Sequence, residues 1–199
     1  ELKRKLIGIR RQANHSSLTV IMLKKFNQFF HPQINRIDMS FTPFMANVNG
    51  NILQIMQATD DNIPDLLVLE EQVYSGRTPW NKFSFETELR KRRNSLYLVV
   101  YQASTLVAFI GARFSPEETH ITNIAVAPAY QHQHIGRYLM QMMIDRAREN
   151  DSDSVTLEVK TDNEIAQRLY QSLGFKGNFI RKDYYQDTHT DAMNMVLWL

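Results

Sequence analysis

With 199 residues, 43% of them apolar, the chain is long enough to bury one good core, and one domain plus an extension is expected. It has no cysteine, which excludes a disulfide scaffold, a thiolate nucleophile and a thiolate metal site and fits a cytoplasmic protein. The net charge of +2 is unevenly spread: residues 1–50 hold eight Lys/Arg against Glu1 and Asp38, a net of +6, which leaves −4 for the remainder.

No apolar run approaches the roughly 18 residues that a membrane span needs. The densest, residues 18–23, stops at Lys24 and Lys25. Around it, Leu18, Met22, Phe26, Phe29 and Phe30 recur at helical spacing before Pro32, which predicts a short amphipathic helix over residues 17–31. Its apolar face is read as docked on the main domain, in preference to a basic arm contacting a membrane surface, the ribosome or nucleic acid. Asn49-Gly50 separates two apolar runs and marks a hairpin, because both turn positions favour positive φ. We divide the chain into a basic extension, residues 1–50, which includes the start of that hairpin, and a main domain, residues 51–199.

The main domain opens with a strand over residues 52–58. Residues 60–74 read as a helix, with Asp60 and Asp61 as its caps, and residues 83–93 as a second helix after Gly76. Strands follow over residues 96–101, 105–113 and 119–126, then a helix over 135–150 with apolar positions at helical spacing. A strand (154–159), a helix (163–173) and two strands (179–181 and 193–199) complete the chain. A meander followed by βαβα units predicts an α/β (mixed α+β) fold, a mostly antiparallel central sheet with helices on both faces.

Three places in this order carry chemistry. The strand ending at Val126 and the helix starting near His134 leave backbone N–H groups at a positive helix terminus, a ready phosphate site. Arg137, in the first turn, is a candidate anion contact or a solvated surface charge. His132 and His134, without a third ligand, make a poor metal site, and no metal is expected. Glu158 interrupts Val155, Leu157 and Val159 in a strand type where glutamate is depleted, and lies with Thr156 and Lys160 on the opposite face. It is a solvated charge or, if that face meets a cleft, a base whose pKa burial raises. Residues 161–164 read as a capping box, Gly174-Phe175 as a helix stop, and Ile165, Leu169 and Leu173 as the core stripe, with Ala166 and Tyr170 one position around.

Residues 123–137 and 157–175 together resemble the GNAT acyltransferases, and within them the RimI-like N-terminal acetyltransferases of ribosomal proteins. The resemblance covers residues 52–199, about three-quarters of the chain, and its order of elements is also that of the GNAT fold. It implies acetyl-CoA as co-substrate. The family's phosphate pattern is Arg or Gln, two residues, Gly, one residue, then Gly or Ala; Gln131 and Gly136 match it, and His134 stands in place of the first glycine. A Cβ there restricts close approach of the backbone to phosphate, whereas a protonated imidazole adds charge, and the sequence leaves both open.

By the same resemblance Ile124, Ala125, Val126, Gln131, His132, Gln133, His134, Ile135, Gly136, Arg137 and Asn163 contact the cofactor. Glu158 is the base. Tyr170, in Leu169-Tyr170-Gln171-Ser172-Leu173-Gly174-Phe175, gives a proton to the departing thiolate. Pro79 and Trp80, with Tyr184 and Tyr185, look like the two elements that border the peptide groove, although Gln186 stands where a proline is usual. Their plain reading is a buried tryptophan and strand aromatics packed on a neighbour. The implied reaction is acetyl transfer to the N-terminal α-amine, alanine in the family, of a ribosomal protein. An α-amine of pKa about 7.7–8.0 needs less of a base than lysine at about 10.4. The competing expectations are a GNAT enzyme for a small amine, polyamine or aminoglycoside-like, marked by an open acidic pocket, and a weakly active or inactive relative that docks on ribosome or RNA through its basic arm.

Overall fold

The structure, a computed structural model, describes residues 39–199 except 77 and 92. The helix expected over residues 17–31 lies outside the described residues. Among those described, eight strands form one sheet in the order β1-β2-β3-β4-β5-β6-β8-β7. They are β1 (Phe44–Val48), β2 (Asn51–Gln57), β3 (Ser95–Gln102), β4 (Thr105–Phe114), β5 (Thr119–Val126), β6 (Ser154–Lys160), β7 (Lys176–Tyr185) and β8 (Thr190–Trp198). The helices are α1 (Ile63–Val73), α2 (Lys82–Leu89), α3 (Ile135–Glu149) and α4 (Glu164–Ser172). Every strand pairing is antiparallel except β5 with β6. None of these helices is long and apolar enough to cross a membrane.

The hairpin forms where Asn49-Gly50 places it, with both residues at positive φ, 53° and 87°. It pairs Phe44 with Ile55 and Val48 with Asn51, so the sheet already begins at Phe44. The central strands β3 and β4 are buried on both faces, which explains their nearly unbroken apolar sequence. On one face Leu98, Val100, Ile110 and Phe114 pack with Leu139, Met143 and Ile144 of α3. On the other, Tyr97, Val99 and Phe109 pack with Leu66 and Leu69 of α1 and Phe85 of α2. Helices therefore cover both faces, as the element order predicts.

Three local expectations are corrected. Asp60 and Asp61 do not cap the first helix: they form a 3-10 turn that Thr59 and Asn62 close, with the Thr59 N–H donating to Asn62 Oδ1 at 2.9 Å. The cap of α4 is Asn163, not Thr161; its Oδ1 accepts from the Ala166 N–H at 3.1 Å. On α4 the buried stripe is rotated by one position. Tyr170 is buried and Ala166, Leu169 and Leu173 pack on the core, whereas Ile165 is exposed, because the sheet meets the helix along the Tyr170 side.

Candidate active site

The site is built on a seam in the sheet. β5 and β6 pair only at Thr119 with Val155 and His120 with Thr156, and both strands continue, to Val126 and Lys160, without pairing each other. Backbone groups of residues 121–126 that point toward β6 therefore lie outside the β5–β6 ladder. A bulge helps to set this course: between Gly111 and Ala112 the β4–β5 register shifts, leaving Thr122 as the extra residue. Thr122 Oγ1 shares a hydrogen bond of 2.6 Å with the Tyr97 hydroxyl. Past the bulge Ile124 and Val126 lie against the α3-side core, and Ala125 against the α1–α2 core.

The chain leaves β5 through a 3-10 turn, Pro128–Tyr130, and enters α3. His132 and His134 both adopt positive φ, 60° and 65°, so His134 holds the left-handed backbone that a glycine takes easily. No side chain caps the first turn of α3. A Cβ added at Gly136 would meet nothing closer than 3.7 Å. The N–H groups of Ile135, Gly136 and Arg137 thus open the helix without a capping side chain, which suits an anion.

The side chains expected beside the cofactor serve the loop and its neighbours. Gln131 Nε2 donates to the Val126 carbonyl at 3.0 Å, and Gln133 Nε2 to the Ala129 carbonyl at 2.9 Å. Gln133 Oε1 accepts from Asn51 Nδ2 at 2.8 Å, which ties the loop to the first hairpin. Arg137 Nη2 donates to Ser172 Oγ at 2.7 Å, joining α3 to α4. Asn163 is occupied as the α4 cap.

At the closed end of the seam stands Glu158, its side chain 7% exposed. Its Oε2 lies 3.2 Å from His120 Nε2, and Asn194 Nδ2 donates to its Oε1 at 3.1 Å. Arg181 approaches Oε1 at 3.5 Å. The upward shift expected of its pKa is not found. Burial does push the carboxyl up, but the His120 hydrogen bond and charge, the Asn194 amide and the Arg181 charge together outweigh it, and the net shift is downward.

His120 escaped the sequence reading, since a lone histidine in a strand carries no periodic or spacing signal. Its Nδ1 meets Thr156 Oγ1 at 2.9 Å, and Thr156 in turn donates to Glu118 Oε1 at 2.8 Å. With the single Thr156 proton directed at Glu118, the Thr156 oxygen is left as an acceptor toward Nδ1, and Nε2 faces the Glu158 carboxylate. Glu118–Thr156–His120–Glu158 is thus one continuous chain of polar contacts. It borders a polar groove of about 700 Å³ that Arg113, Arg181 and Tyr184 also line.

Tyr170 is placed by the end of its helix. The Phe175 N–H donates to the Tyr170 carbonyl at 3.0 Å and the Gly174 N–H to the Gln171 carbonyl at 2.9 Å, the paired bonds of a Schellman motif, with Gly174 at φ 96°. The Phe175 ring then packs on Tyr170 with centroids 6.0 Å apart. Among the described residues the Tyr170 hydroxyl has no hydrogen-bond partner. Burial, and after it the nearby Tyr185, push its pKa up, so it stays protonated.

Tyr185 is near both candidate catalytic groups, close enough for Glu158 to act on it and for it to act on Tyr170. Its hydroxyl reaches the Glu158 carbonyl at 3.5 Å, and Tyr184 stands edge-on to it at 5.1 Å. Trp80, by contrast, packs on Phe85 and Tyr97 at 5.4 and 6.1 Å and is not among the residues lining the groove.

Residues 62–175 match the family model described as "Acetyltransferase (GNAT) family". The chain is 34% identical over 132 residues, 66% of itself and 86% of the relative, to the putative [ribosomal protein bS18]-alanine N-acetyltransferase of Bacillus subtilis. It is 38% identical over 131 residues, 64% of itself and 80% of the relative, to N-alpha-acetyltransferase RimI of Mycobacterium tuberculosis. Among solved structures it superposes on the ribosomal-protein-S18-alanine N-acetyltransferase of Escherichia coli with a TM-score of 0.65 at 29% identity, over 73% of this chain and 93% of that one.

Proposed function

Since the chain belongs to the GNAT acetyltransferase family and is an N-acetyltransferase, we propose that it acetylates the N-terminal α-amine, alanine first among candidates, of a ribosomal protein. GNAT acetyltransferases use acetyl-CoA. The observation that carries the reading is the unpaired length of β5 and β6, with the Glu158–His120 pair at its closed end and an unbonded tyrosine hydroxyl nearby. The relatives named for bS18-alanine acetylation supply the acceptor.

The residues present fit acetyl-CoA: a strand edge outside its ladder, a helix N-terminus without a capping side chain, and a Tyr170 hydroxyl that has no hydrogen-bond partner among the described residues. The co-substrate supplies an acetyl group activated as a thioester. Backbone groups of Ile124, Ala125 and Val126 bind and polarise it, and the N–H groups of Ile135, Gly136 and Arg137 hold the phosphates. Glu158, kept ionised by its neighbours, accepts a proton from the attacking amine, and His120 Nε2, against its Oε2, helps to hold the carboxylate in place. Tyr170 hands its own proton to the departing sulfur. With no cysteine in the chain, the amine attacks directly in a ternary complex and no acyl-cysteine forms.

The groove argues for a peptide over a polyamine. A polyamine site needs free carboxylates, whereas Glu118 and Glu158 are each hydrogen-bonded already, and two arginines share the lining. The test is release of free thiol from acetyl-CoA with peptides beginning in Ala, Ser or Met, alongside spermidine. Turnover on the Ala peptide, lost in Glu158→Gln, supports the reading. Turnover on spermidine alone overturns the acceptor assignment.

A further inference from the structure

The mechanism leaves buried titratable groups unused, Glu70 and Glu88 among them. Glu70, on the last turn of α1, is 0% exposed, and no cation pairs with it among the described residues. An ionised carboxylate buried without a counter-ion is costly unless its oxygens are met by donors. Both are. Oε2 accepts from the Trp80 N–H at 3.2 Å, and Oε1 accepts from Asn123 Nδ2 at 3.3 Å. The first donor belongs to the loop between α1 and α2; the second lies on β5, just before Ile124. The helix end is held as well, since the Tyr74 N–H donates to the Glu70 carbonyl at 2.9 Å. The turn that follows, Ser75 and Gly76 at φ 56° and 86°, brings the loop back so that Trp80 reaches the same carboxylate.

We propose that Glu70 is a positioning residue for the acetyl-transfer reaction: its two oxygens fasten the end of α1 and the Trp80 loop to the strand that carries Ile124. This rests on the reading of residues 124–126 as the edge that binds the acetyl donor. The charge has a chemical reason. Both partners are donors, so the link needs an acceptor at each end, and a carboxylate supplies two where an amide supplies one. Tyr74, one turn beyond Glu70, shows what the fastening positions. It lies close enough to Tyr170 and to Glu70 for both to raise its pKa, after the larger effect of burial. Loss of the link therefore releases a wall of the reacting centre while leaving the α3 terminus, and with it the phosphate site, in place.

The experiment removes both acceptors and then restores the two bonds with donor and acceptor exchanged. Glu70→Leu leaves the Trp80 N–H and the Asn123 amide without an acceptor; Glu70→Gln combined with Asn123→Asp supplies two compatible bonds and keeps the original net charge. For Glu70→Leu we expect kcat/KM on the Ala peptide to fall about tenfold, as for buried hydrogen bonds left unmade, and the dissociation constant of acetyl-CoA, by calorimetry, to stay within about twofold. Exchange of the Trp80 amide hydrogen should speed up in the same variant. The double variant should keep both kcat/KM and protection. An unchanged kcat/KM in Glu70→Leu overturns the proposal, as does a parallel loss of acetyl-CoA affinity, which marks general damage, or a folded double variant that keeps neither property. If Glu70→Leu does not fold, the double variant alone decides. A wild-type enzyme that acetylates no peptide overturns the acceptor reading instead, and Trp80 exchange still judges the tether.

Discussion

His134 places a Cβ and an imidazole where the family pattern has glycine, and the backbone there is left-handed all the same, at φ 65°. Such a residue costs roughly 1 kcal/mol against glycine, part of which the greater freedom of glycine in the unfolded chain removes. His134→Gly should raise the melting temperature by up to about 2 °C and bind acetyl-CoA at least as tightly, whereas His134→Ala should do neither. Weaker binding by the glycine variant, with a pH dependence that disappears, would instead assign the imidazole a charge at the phosphates. Tyr170 offers a cleaner separation. Among the described residues its hydroxyl has no hydrogen-bond partner, so Tyr170→Phe should leave the melting temperature where it is while kcat falls on the order of 100-fold, the size of a general-acid contribution. Glu158 was legible in the sequence as a glutamate out of place in a strand, and Tyr170 through its motif. Neither the direction of the Glu158 shift nor the part of His120 was legible, because both depend on side chains that only the sheet brings together.

The elements themselves were largely legible, since period and turn chemistry are local. The Asn49-Gly50 hairpin, the doubly buried β3 and β4, and the Gly174 helix stop all follow from neighbours in sequence. The bulge in β5 was not, because it needs a partner strand to be defined. It depends on Gly111: a Cβ there would fall on the Tyr97 ring, which crosses Gly111 to reach Thr122 at the bulge. Gly111→Ala should therefore push Tyr97 aside, break its bond to Thr122 and cost about 1–3 kcal/mol by overpacking. Because the course of β5 depends on the same bulge, acetyl-CoA affinity should fall with stability, and calorimetry beside a melting curve checks both. A variant that melts lower yet binds as before would show that the course of β5 is independent of the bulge.

Over the whole molecule the buried carboxylates set the acid limit of stability. Glu88 is held by Arg113, whose Nε donates to Oε2 at 2.9 Å, and by Lys91 at 2.7 Å. Burial pushes its pKa up, but the Arg113 and Lys91 hydrogen bonds and charges pull it further down, and Glu158 is lowered likewise. Groups depressed in the fold lend stability that is complete above their ordinary value of 4.5 and is lost as pH falls through the folded values. Glu70, raised chiefly by burial, works the other way, since protonation relieves its cost. Urea midpoints should accordingly fall below about pH 4.5. Glu88→Gln, which should cost about 1–2 kcal/mol at neutral pH given its half-exposed partners, should show a shallower fall.

The narrow join between β5 and β6 also bears on how the molecule assembles. Among the described strands β1–β2, β3–β4, β4–β5 and β7–β8 pair as hairpins, whereas β2–β3, β5–β6 and β6–β8 join strands that whole helices separate in the chain, and of these three ladders β5–β6, with two residue pairs, is the narrowest. Local hairpins close quickly and long-range pairing slowly, so the hairpins are expected to gain structure first and the long-range joins later, with β5–β6, which has the fewest backbone pairs to hold it, last. The candidate site, which lies along that join, would then be among the last parts of the protein to exist during folding. On unfolding it would be the first to come apart, with activity lost before most of the secondary structure.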